Sequence, residues 1–326
     1  MIASVIASVI ATDRDDRQVV LEQVACVTPL GLTLDESLAS IQAGRRVVNQ
    51  GRVSLQRETD VCRVTQLATH VVSQLDTTNV DTTLFATSKG PADDWCSPTR
   101  PWTQTIGLHT PFRADLVFSS ACASGLIALI HAGLMLRAGV ATRVLVVASE
   151  SSFHPVFTGC FARLGVLAPP GEPCKPFDPG GTGFVVSEAA AAVVLSLKRP
   201  VEGDVVLHRS AMLSDAFHLT SHRPDGSTFR RAIREVSQGQ SIDRVHAHAT
   251  GTHADAIELA AVRAELGKVD VWSHKAFIGH TLGASGLLAT VLSARTMPRT
   301  MHGAEAILAA GFGSPVAAVS LVRIPD

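Results

Sequence analysis

Cysteine pairs, tyrosine and clusters of basic residues are missing from this sequence of 326 residues. Its six cysteines are scattered without a C-x-x-C pair, which argues against a structural zinc site and a disulfide framework and fits a reducing cytoplasm. The 28 basic and 29 acidic residues nearly cancel, and no basic run with interleaved aromatics occurs. Nucleic acid is therefore not an expected partner.

A membrane-spanning run is also missing. Residues 1–12, MIASVIASVIAT, are apolar and repetitive, but they lack a basic start and are too short to cross a bilayer. We expect no membrane span and interpret residues 1–16 as an N-terminal extension or edge strand. Hydrophobic residues make up 46% of the chain. They are enough for a substantial core in a globular α/β protein.

The stretch from Ala114 to Gly139 surrounds Cys122 with small and apolar residues. Leu116–Phe118 indicate the end of a buried strand, and the serines and alanines that follow allow a tight turn. The next residues are apolar on nearly every face, which is typical of a helix inside a protein. We therefore expect Cys122 at a buried helix N-terminus, where free N–H groups and the helix dipole make a thiol easier to ionise. The same pattern also suits an unreactive buried cysteine.

Two histidines of the second half follow strand-like segments at glycine-containing turns. The segment 245–252 delivers His248 to the carboxyl edge of a predicted strand, where α/β proteins usually place their sites. The segment 275–280 repeats the arrangement, with a predicted strand that ends at His280. A third turn, 311–313, is able to point backbone N–H groups at a substrate. Taken singly, each histidine is equally explained as a hydrogen-bonded structural residue.

Strand-like and helix-like segments alternate along the chain. Examples are the strand pattern over 19–27 and the helical spacing over 227–236. The segment 92–112 has several prolines and no periodicity, and we interpret it as an irregular connection. Alternation of this kind predicts βαβ units and buried sheets.

Five motifs, in order along the chain, resemble those of the β-ketoacyl synthases, the decarboxylating condensing enzymes of the thiolase-like superfamily. Their common order makes chance similarity improbable. The motifs are the nucleophile sequence 121–125 (ACASG), the loop 175–185 (KPFDPGGTGFV), the stretch 248–252 (HATGT) with Asp255 and Glu258 after it, the stretch 275–286 (KAFIGHTLGASG) and the loop 311–314 (GFGS).

The resemblance implies an α/β protein with the thiolase-like fold. It would be a single unit over residues 17–326, with two similar βαβ-rich halves, 17–197 and 204–326, that form stacked helix and sheet layers. The active site would lie between the halves.

The resemblance also implies roles for individual residues. Cys122 would take an acyl group from a carrier thioester, and the backbone N–H groups of Cys122 and Phe312 would form the oxyanion hole. His248 and His280 would stabilise the enolate that forms when a malonyl thioester loses carbon dioxide. The other matched positions are Lys275 and Glu258 as a supporting catalytic pair, Thr250 and Thr252 on the pantetheine arm, Phe161 and Phe312 at the acyl pocket, and Gly311 and Gly313 in the substrate-binding loop.

The implied function is that of a cytoplasmic acyltransferase in fatty-acid or polyketide-like synthesis. It would condense a Cys-bound acyl group with a decarboxylated malonyl thioester on acyl carrier protein, as a homodimer or a ketosynthase heterodimer, and no metal or cofactor is implied. The chain is shorter than usual synthases before Cys122 and after His280. Acyl chain length, pathway and the effect of the shortening on condensation therefore stay open.

Three alternatives remain at this stage. The first is a non-catalytic, chain-length-determining partner of another ketosynthase, although such partners typically lose the nucleophile that Cys122 provides. The second is a relative that uses the same residues on an unusual acceptor. The third is a metal-dependent hydrolase, because several possible ligands occur close together without a recognised zinc spacing. These ligands are His246, His248, His253, Asp255, Glu258 and His280.

Overall fold

The computed structural model describes residues 16–58, 61–90, 113–181, 183–214, 216–299 and 303–325. Strands β1 to β12 are Gln18–Val27, Gln50–Gly51, Thr82–Ala86, Leu116–Phe118, Arg143–Glu150, Val186–Ser187, Ala189–Lys198, Val205–Ser214, Ile242–His246, Asp270–Trp272, Ala304–Ala310 and Pro315–Arg323. Helices α1 to α8 are Leu34–Gln42, Arg63–Val72, Ser124–Arg137, Pro155–Arg163, Ser227–Ser237, Ala254–Leu266, Lys275–Ile278 and Ser285–Thr296.

Ten of these strands form one sheet, in the order β10-β9-β11-β12-β8-β1-β7-β5-β3-β4. From the centre outward, both ends follow the same pattern of two antiparallel pairs and then two parallel pairs. One end is β1-β7-β5-β3-β4 and the other is β8-β12-β11-β9-β10, and a short antiparallel contact between β1 and β8 joins them. The chain therefore has the two similar halves expected of a thiolase-like fold.

Helices α3 and α8 lie in the middle of the molecule. Both are buried on nearly all faces, and one core cluster joins them to strands of both halves. Helix α2 covers the outer face of the first half, while α5 and α6 cover the outer face of the second. The result is five layers, in which the two ends of the sheet form the second and fourth layers, α3 and α8 lie between them, and the other helices cover the outside.

The first turns of α3 and α8 contact each other through glycine. A Cβ atom on Gly125 would lie 3.0 Å from the carbonyl oxygen of Gly283, and one on Gly286 would lie 2.8 Å from Cβ of Leu126. Larger residues would hold the two helices apart. Because Cys122 and His280 come shortly before these two helices, the close approach brings their side chains together.

Three predictions from the sequence can be compared with these elements, and two others concern residues that the structure does not describe. The predicted strand over 19–27 and helix over 227–236 are present as β1 and α5. The predicted strand at 275–278 is wrong, since this segment is the helical turn α7, in which the N–H groups of Phe277 and Ile278 bond to the carbonyl of His274. A short apolar run does not distinguish a strand from a buried helical turn. The interpretations of residues 1–12 and 92–112 lie outside the described residues.

Candidate active site

Cys122 lies in a tight turn between β4 and α3. Ala121 has a left-handed backbone with φ of 49°, and the hydroxyl of Ser124 holds the turn by donating to Ala121 O at 2.6 Å. The same hydroxyl accepts from the N–H of Ser120 at 2.8 Å. Helix α3 begins at Ser124, two residues after Cys122. The small residues of the sequence motif therefore build the turn that presents the thiol.

The loop that follows β11 covers this turn. A Cβ atom on Gly311 would lie 3.1 Å from the backbone nitrogen of Cys122, so only glycine permits the approach. Within the described residues, the N–H groups of Cys122 and Phe312 donate to no other residue. Two backbone donors are thus available on either side of the thiol.

His280 reaches the thiol from the second half. Its Nε2 lies 3.2 Å from Sγ of Cys122, and its backbone is fixed by a bond from its N–H to Val185 O at 2.7 Å. The imidazole is 1% exposed and meets the ring of Phe184 edge to face, with centroids 4.9 Å apart. Phe184 belongs to the 175–185 motif, although the sequence alone gave it no role.

His248 lies on a loop that two carboxylates of α6 hold in place. Glu258 accepts from the N–H of His248 at 2.7 Å and from that of Ala249 at 2.8 Å. Asp255 accepts from Thr250 N at 2.8 Å and Gly251 N at 2.9 Å. The two acids are three residues apart and share one face of the helix. They orient the loop so that the His248 ring lies 5.5 Å from that of His280.

Lys275 and Glu258 both act on the backbone of His248. The ammonium of Lys275 donates to the carbonyl of His248, whose N–H is bound by Glu258. No ion pair within 4.0 Å joins these two described side chains, and their contact is indirect, through the backbone of His248. Burial raises the pKa of Glu258 to about 7 despite the two N–H donors, and burial lowers the pKa of Lys275 while Glu258 opposes that change.

A cavity of about 90 Å³ connects these groups. Five of the substrate-binding positions expected from the sequence line it, and Gly313 does not, because its N–H is bonded to Leu219 O instead. An open cleft of about 660 Å³ adjoins it at Thr252 and leads to the surface. The lining residues among the predicted positions are Cys122, His248, His280, Thr250, Thr252, Phe161, Gly311 and Phe312.

The pKa values of Cys122, His248 and His280 all favour the neutral form of the side chain near pH 7. Burial raises the pKa of Cys122 to about 11, while the positive charges of Lys89 and Lys275 act in the opposite direction. Burial, and then the charge of Lys275, hold the pKa values of His248 and His280 well below their usual range. The expectation of an easily ionised thiol is therefore wrong, since desolvation outweighs the helix N-terminus.

Lys89 is a residue of the site that the sequence did not reveal. It follows β3, and its ammonium lies 4.9 Å from the ring centroid of Phe157 and 5.1 Å from that of Phe161. These two rings pack in the cluster that includes Cys122 and Phe184. No motif surrounds Lys89 in the sequence, so only the fold brings its charge to the thiol.

The geometry does not support the metal-dependent hydrolase. The carboxylates of Asp255 and Glu258 are occupied by backbone N–H groups, and His246 is bonded to His274 and Ser293 rather than facing His248. Among the residues that the structure describes, no group of three His, Cys, Asp or Glu side chains is arranged to hold a metal ion. None of the described helices is both long and apolar enough to cross a membrane.

Comparison with known families agrees with this arrangement. The N-terminal domain model of β-ketoacyl synthases matches residues 108–200, and the C-terminal domain model matches residues 205–303. Together these matches cover more than half of the chain.

Curated relatives match about half of this chain. The tetracenomycin polyketide synthase ketoacyl synthase alpha subunit of Streptomyces glaucescens is 32% identical over 191 residues, which are 53% of this chain and 45% of that protein. The 3-oxoacyl-acyl-carrier-protein synthase 2 of Coxiella burnetii is 31% identical over 193 residues, 53% of this chain and 47% of that protein. The matched region thus spans about half the length of these relatives.

Solved structures share the fold at low sequence identity. A ketosynthase in complex with its chain length factor from Xenorhabdus doucetiae has a TM-score of 0.76 at 18% identity. The alignment covers 96% of this chain and 100% of that one. A type II polyketide complex of an acyl-carrier protein with its ketosynthase bound to the hexaketide has a TM-score of 0.75 at 18% identity, covering 94% of this chain and 99% of that one. With both domain models matched and the thiolase-like fold present, the chain belongs to the β-ketoacyl synthase family.

Proposed function

We propose that this chain is a condensing acyltransferase that joins a Cys122-bound acyl group to a decarboxylated malonyl thioester. The observation that carries the proposal is the 3.2 Å contact between His280 Nε2 and Cys122 Sγ in a cavity that His248 also lines. One nucleophile and two neutral imidazoles at one cavity are the groups that both half-reactions need.

In the first half-reaction, Cys122 attacks the carbonyl of an acyl thioester. The new C–S bond forms as the old one breaks, and the thiol proton passes to the departing carrier thiolate. The raised pKa of Cys122 means that the proton leaves as the carbonyl is attacked and not beforehand. The N–H groups of Cys122 and Phe312 stabilise the negative charge on the carbonyl oxygen during the attack.

In the second half-reaction, a malonyl thioester loses carbon dioxide and its electron pair moves into an enolate. His248 and His280 donate N–H groups to the enolate oxygen, and their lowered pKa values suit neutral donors. The enolate carbon then attacks the acyl-cysteine, whose C–S bond breaks to regenerate Cys122 and release a β-ketoacyl thioester.

The natural substrates in this proposal are acyl and malonyl groups on acyl carrier protein, in fatty-acid or polyketide synthesis in the cytoplasm. The open cleft beside Thr252 gives a pantetheine arm a route from the surface to the thiol, and Thr250 and Thr252 line the inner part of that route. Cys26, Cys122, Cys160 and Cys174 are not in disulfides, which fits a reducing compartment. Retention of Cys122 and both histidines in one cavity favours a catalytic subunit over a non-catalytic chain-length partner.

The experiment measures the two half-reactions separately. Intact-mass analysis follows acylation of the protein by acyl thioesters, and carbon dioxide release follows decarboxylation of a malonyl thioester. We expect His248→Ala and His280→Ala each to reduce carbon dioxide release on the order of 10²-fold, with a smaller effect on acylation. Cys122→Ala should abolish acylation but retain some decarboxylation, whereas Cys160→Ala should leave both unchanged. Normal decarboxylation by both histidine variants would overturn the proposal.

A further inference from the structure

A continuous line of buried polar side chains runs behind the site. His246 Nε2 lies 2.8 Å from His274 Nδ1, and His246 Nδ1 lies 3.0 Å from the hydroxyl of Ser293, which donates to Glu305 at 2.9 Å. At the other end, His274 Nε2 lies 3.3 Å from the hydroxyl of Ser285. All five residues are at most 2% exposed. We call them the buried histidine network.

Glu305 sets the direction of the hydrogen bonds. Its carboxylate pairs with Arg244 at 2.6 Å and accepts from Trp272 Nε1 at 3.0 Å, so it acts as an acceptor throughout. Ser293 has one hydroxyl proton, and it donates that proton to Glu305. The Ser293 oxygen must therefore accept from His246, which places the proton of that imidazole on Nδ1.

The second imidazole follows from the first. With its proton on Nδ1, His246 has a free Nε2 lone pair, which accepts from His274 Nδ1–H and from the His274 backbone N–H at 3.2 Å. His274 Nε2 then accepts from Ser285. One arrangement of protons satisfies every ring nitrogen, and it requires both imidazoles to be neutral.

The network joins segments that carry proposed catalytic groups. His246 ends β9, two residues before His248, and His274 directly precedes Lys275, whose ammonium binds the carbonyl of His248. The bond from His274 N–H to His246 fixes the start of α7 against the end of β9. No residue of the network lines the cavity around Cys122.

We propose that His246 and His274 are positioning residues, which hold Lys275 and the His248 loop in the geometry that stabilises the enolate. The inference rests on the proposed function and assigns a task to two histidines that touch no substrate. Burial lowers the pKa values of both, and the charge of Lys275, the next residue after His274, lowers them further. His246 and His274 therefore stay neutral near pH 7. A charged imidazole at either position would repel the ammonium of Lys275.

The positioning role predicts an uneven effect on the two half-reactions. The turn that holds Cys122 is built by Ser120, Ala121 and Ser124 of the first half, without a hydrogen bond from the network. Acylation of Cys122 should therefore be nearly independent of the pair. Decarboxylation depends on His248 and should be sensitive to it.

The test compares His274→Leu with His274→Asn. Leucine removes both ring nitrogens, while the side-chain amide of asparagine places an N–H near the position of Nδ1. We expect His274→Leu to reduce carbon dioxide release from a malonyl thioester about tenfold or more, with acylation of Cys122 changed less than about twofold. His274→Asn should recover most of the loss. His131→Asn is the matched control, because His131 bonds to the backbone of α3 away from the network, and it should alter neither rate.

Ser293→Ala provides a second route, since it removes the acceptor of His246 Nδ1–H with little change in volume. Ser293→Ala should also lower carbon dioxide release more than acylation of Cys122. It therefore tests the inference even if His274→Leu does not fold. Equal losses in both half-reactions, an unchanged ratio, or asparagine performing no better than leucine would overturn the inference. A wild-type protein that neither acylates nor decarboxylates would instead refute the proposed function.

Discussion

At the scale of single residues, Cys122 illustrates how burial opposes activation. Its position before a helix favours the thiolate, and so do the charges of Lys89 and Lys275, but desolvation is larger and raises the pKa to about 11. The thiol is therefore mainly neutral near pH 7, and in the proposed reaction it loses its proton only as it attacks a carbonyl that the two backbone N–H groups bind. We expect such a thiol to react slowly with simple alkylating agents.

This contrast predicts the pH dependence of alkylation by iodoacetamide. Because only the thiolate reacts, the rate at Cys122 should rise about tenfold per pH unit from pH 7 until the pH approaches about 11. Lys89→Met should slow it further at any given pH, since it removes a charge that lowers the thiol pKa. Peptide mapping by mass spectrometry measures the rates, with the exposed Cys160 as the internal comparison. A plateau at Cys122 below pH 9 would contradict the raised pKa.

The residue scale is also where sequence reasoning succeeded and where it stopped. Cys122, His248 and His280 were identified because small residues and glycines at motif spacing mark the turns that carry them. Lys89 could not be identified in this way, because its charge reaches the thiol only through the packing of β3 beside Phe157 and Phe161. The sequence groups His246 with possible metal ligands, since His246 and His248 are two apart on a predicted strand and would share a face. The structure instead pairs it with a histidine from another segment.

At the scale of elements, the close contact between α3 and α8 tolerates no side chain larger than glycine at Gly125 and Gly286 without a shift of the helices. The sequence pattern predicts α3 as a buried helix, since apolar residues on all faces indicate burial. The sequence does not predict the contact between α3 and α8, because a glycine such as Gly125 or Gly286 can equally indicate a weakened helix. It also missed the helical turn α7, where four apolar or ambiguous residues are too few to show a period.

A substitution at this contact should destabilise the protein sharply. In Gly286→Ala, the new Cβ would lie 2.8 Å from Cβ and 3.0 Å from the backbone nitrogen of Leu126. Relief of these contacts requires a shift of the α3 backbone and not only of a side chain. We expect a loss of about 1–3 kcal/mol in the free energy of unfolding, measured by urea denaturation. Gly133→Ala on α3 is the control, because its Cβ would come close only to side-chain atoms, the tip of Leu207 at 2.8 Å and the guanidinium of Arg137 at 3.5 Å, and helix propensity favours alanine there. Equal effects of the two variants would show that the helix contact is loose.

At the scale of the whole molecule, the ends of the sheet suggest how the chain associates. Strand β4 pairs with β3 and with no other described strand, and Leu116 on it is 47% exposed. An end strand with an exposed large apolar residue favours pairing with another chain.

We therefore expect a dimer at micromolar concentration, measured by light scattering. Leu116→Lys should shift the protein towards monomer, because a charged end strand resists pairing. Val201→Lys, at an exposed site in the connection between β7 and β8, should leave the mass unchanged. A monomeric wild-type protein, or a dimer that tolerates Leu116→Lys, would contradict the expectation.

The repetition of the two halves has a consequence for how such a site arises. Cys122 precedes α3 of the first half and His280 precedes α8 of the second, so the two groups occupy comparable positions in two copies of one plan. Because the two halves differ in sequence, one of these positions carries a sulfur and the other an imidazole, and the pairing of the halves brings the two groups to 3.2 Å.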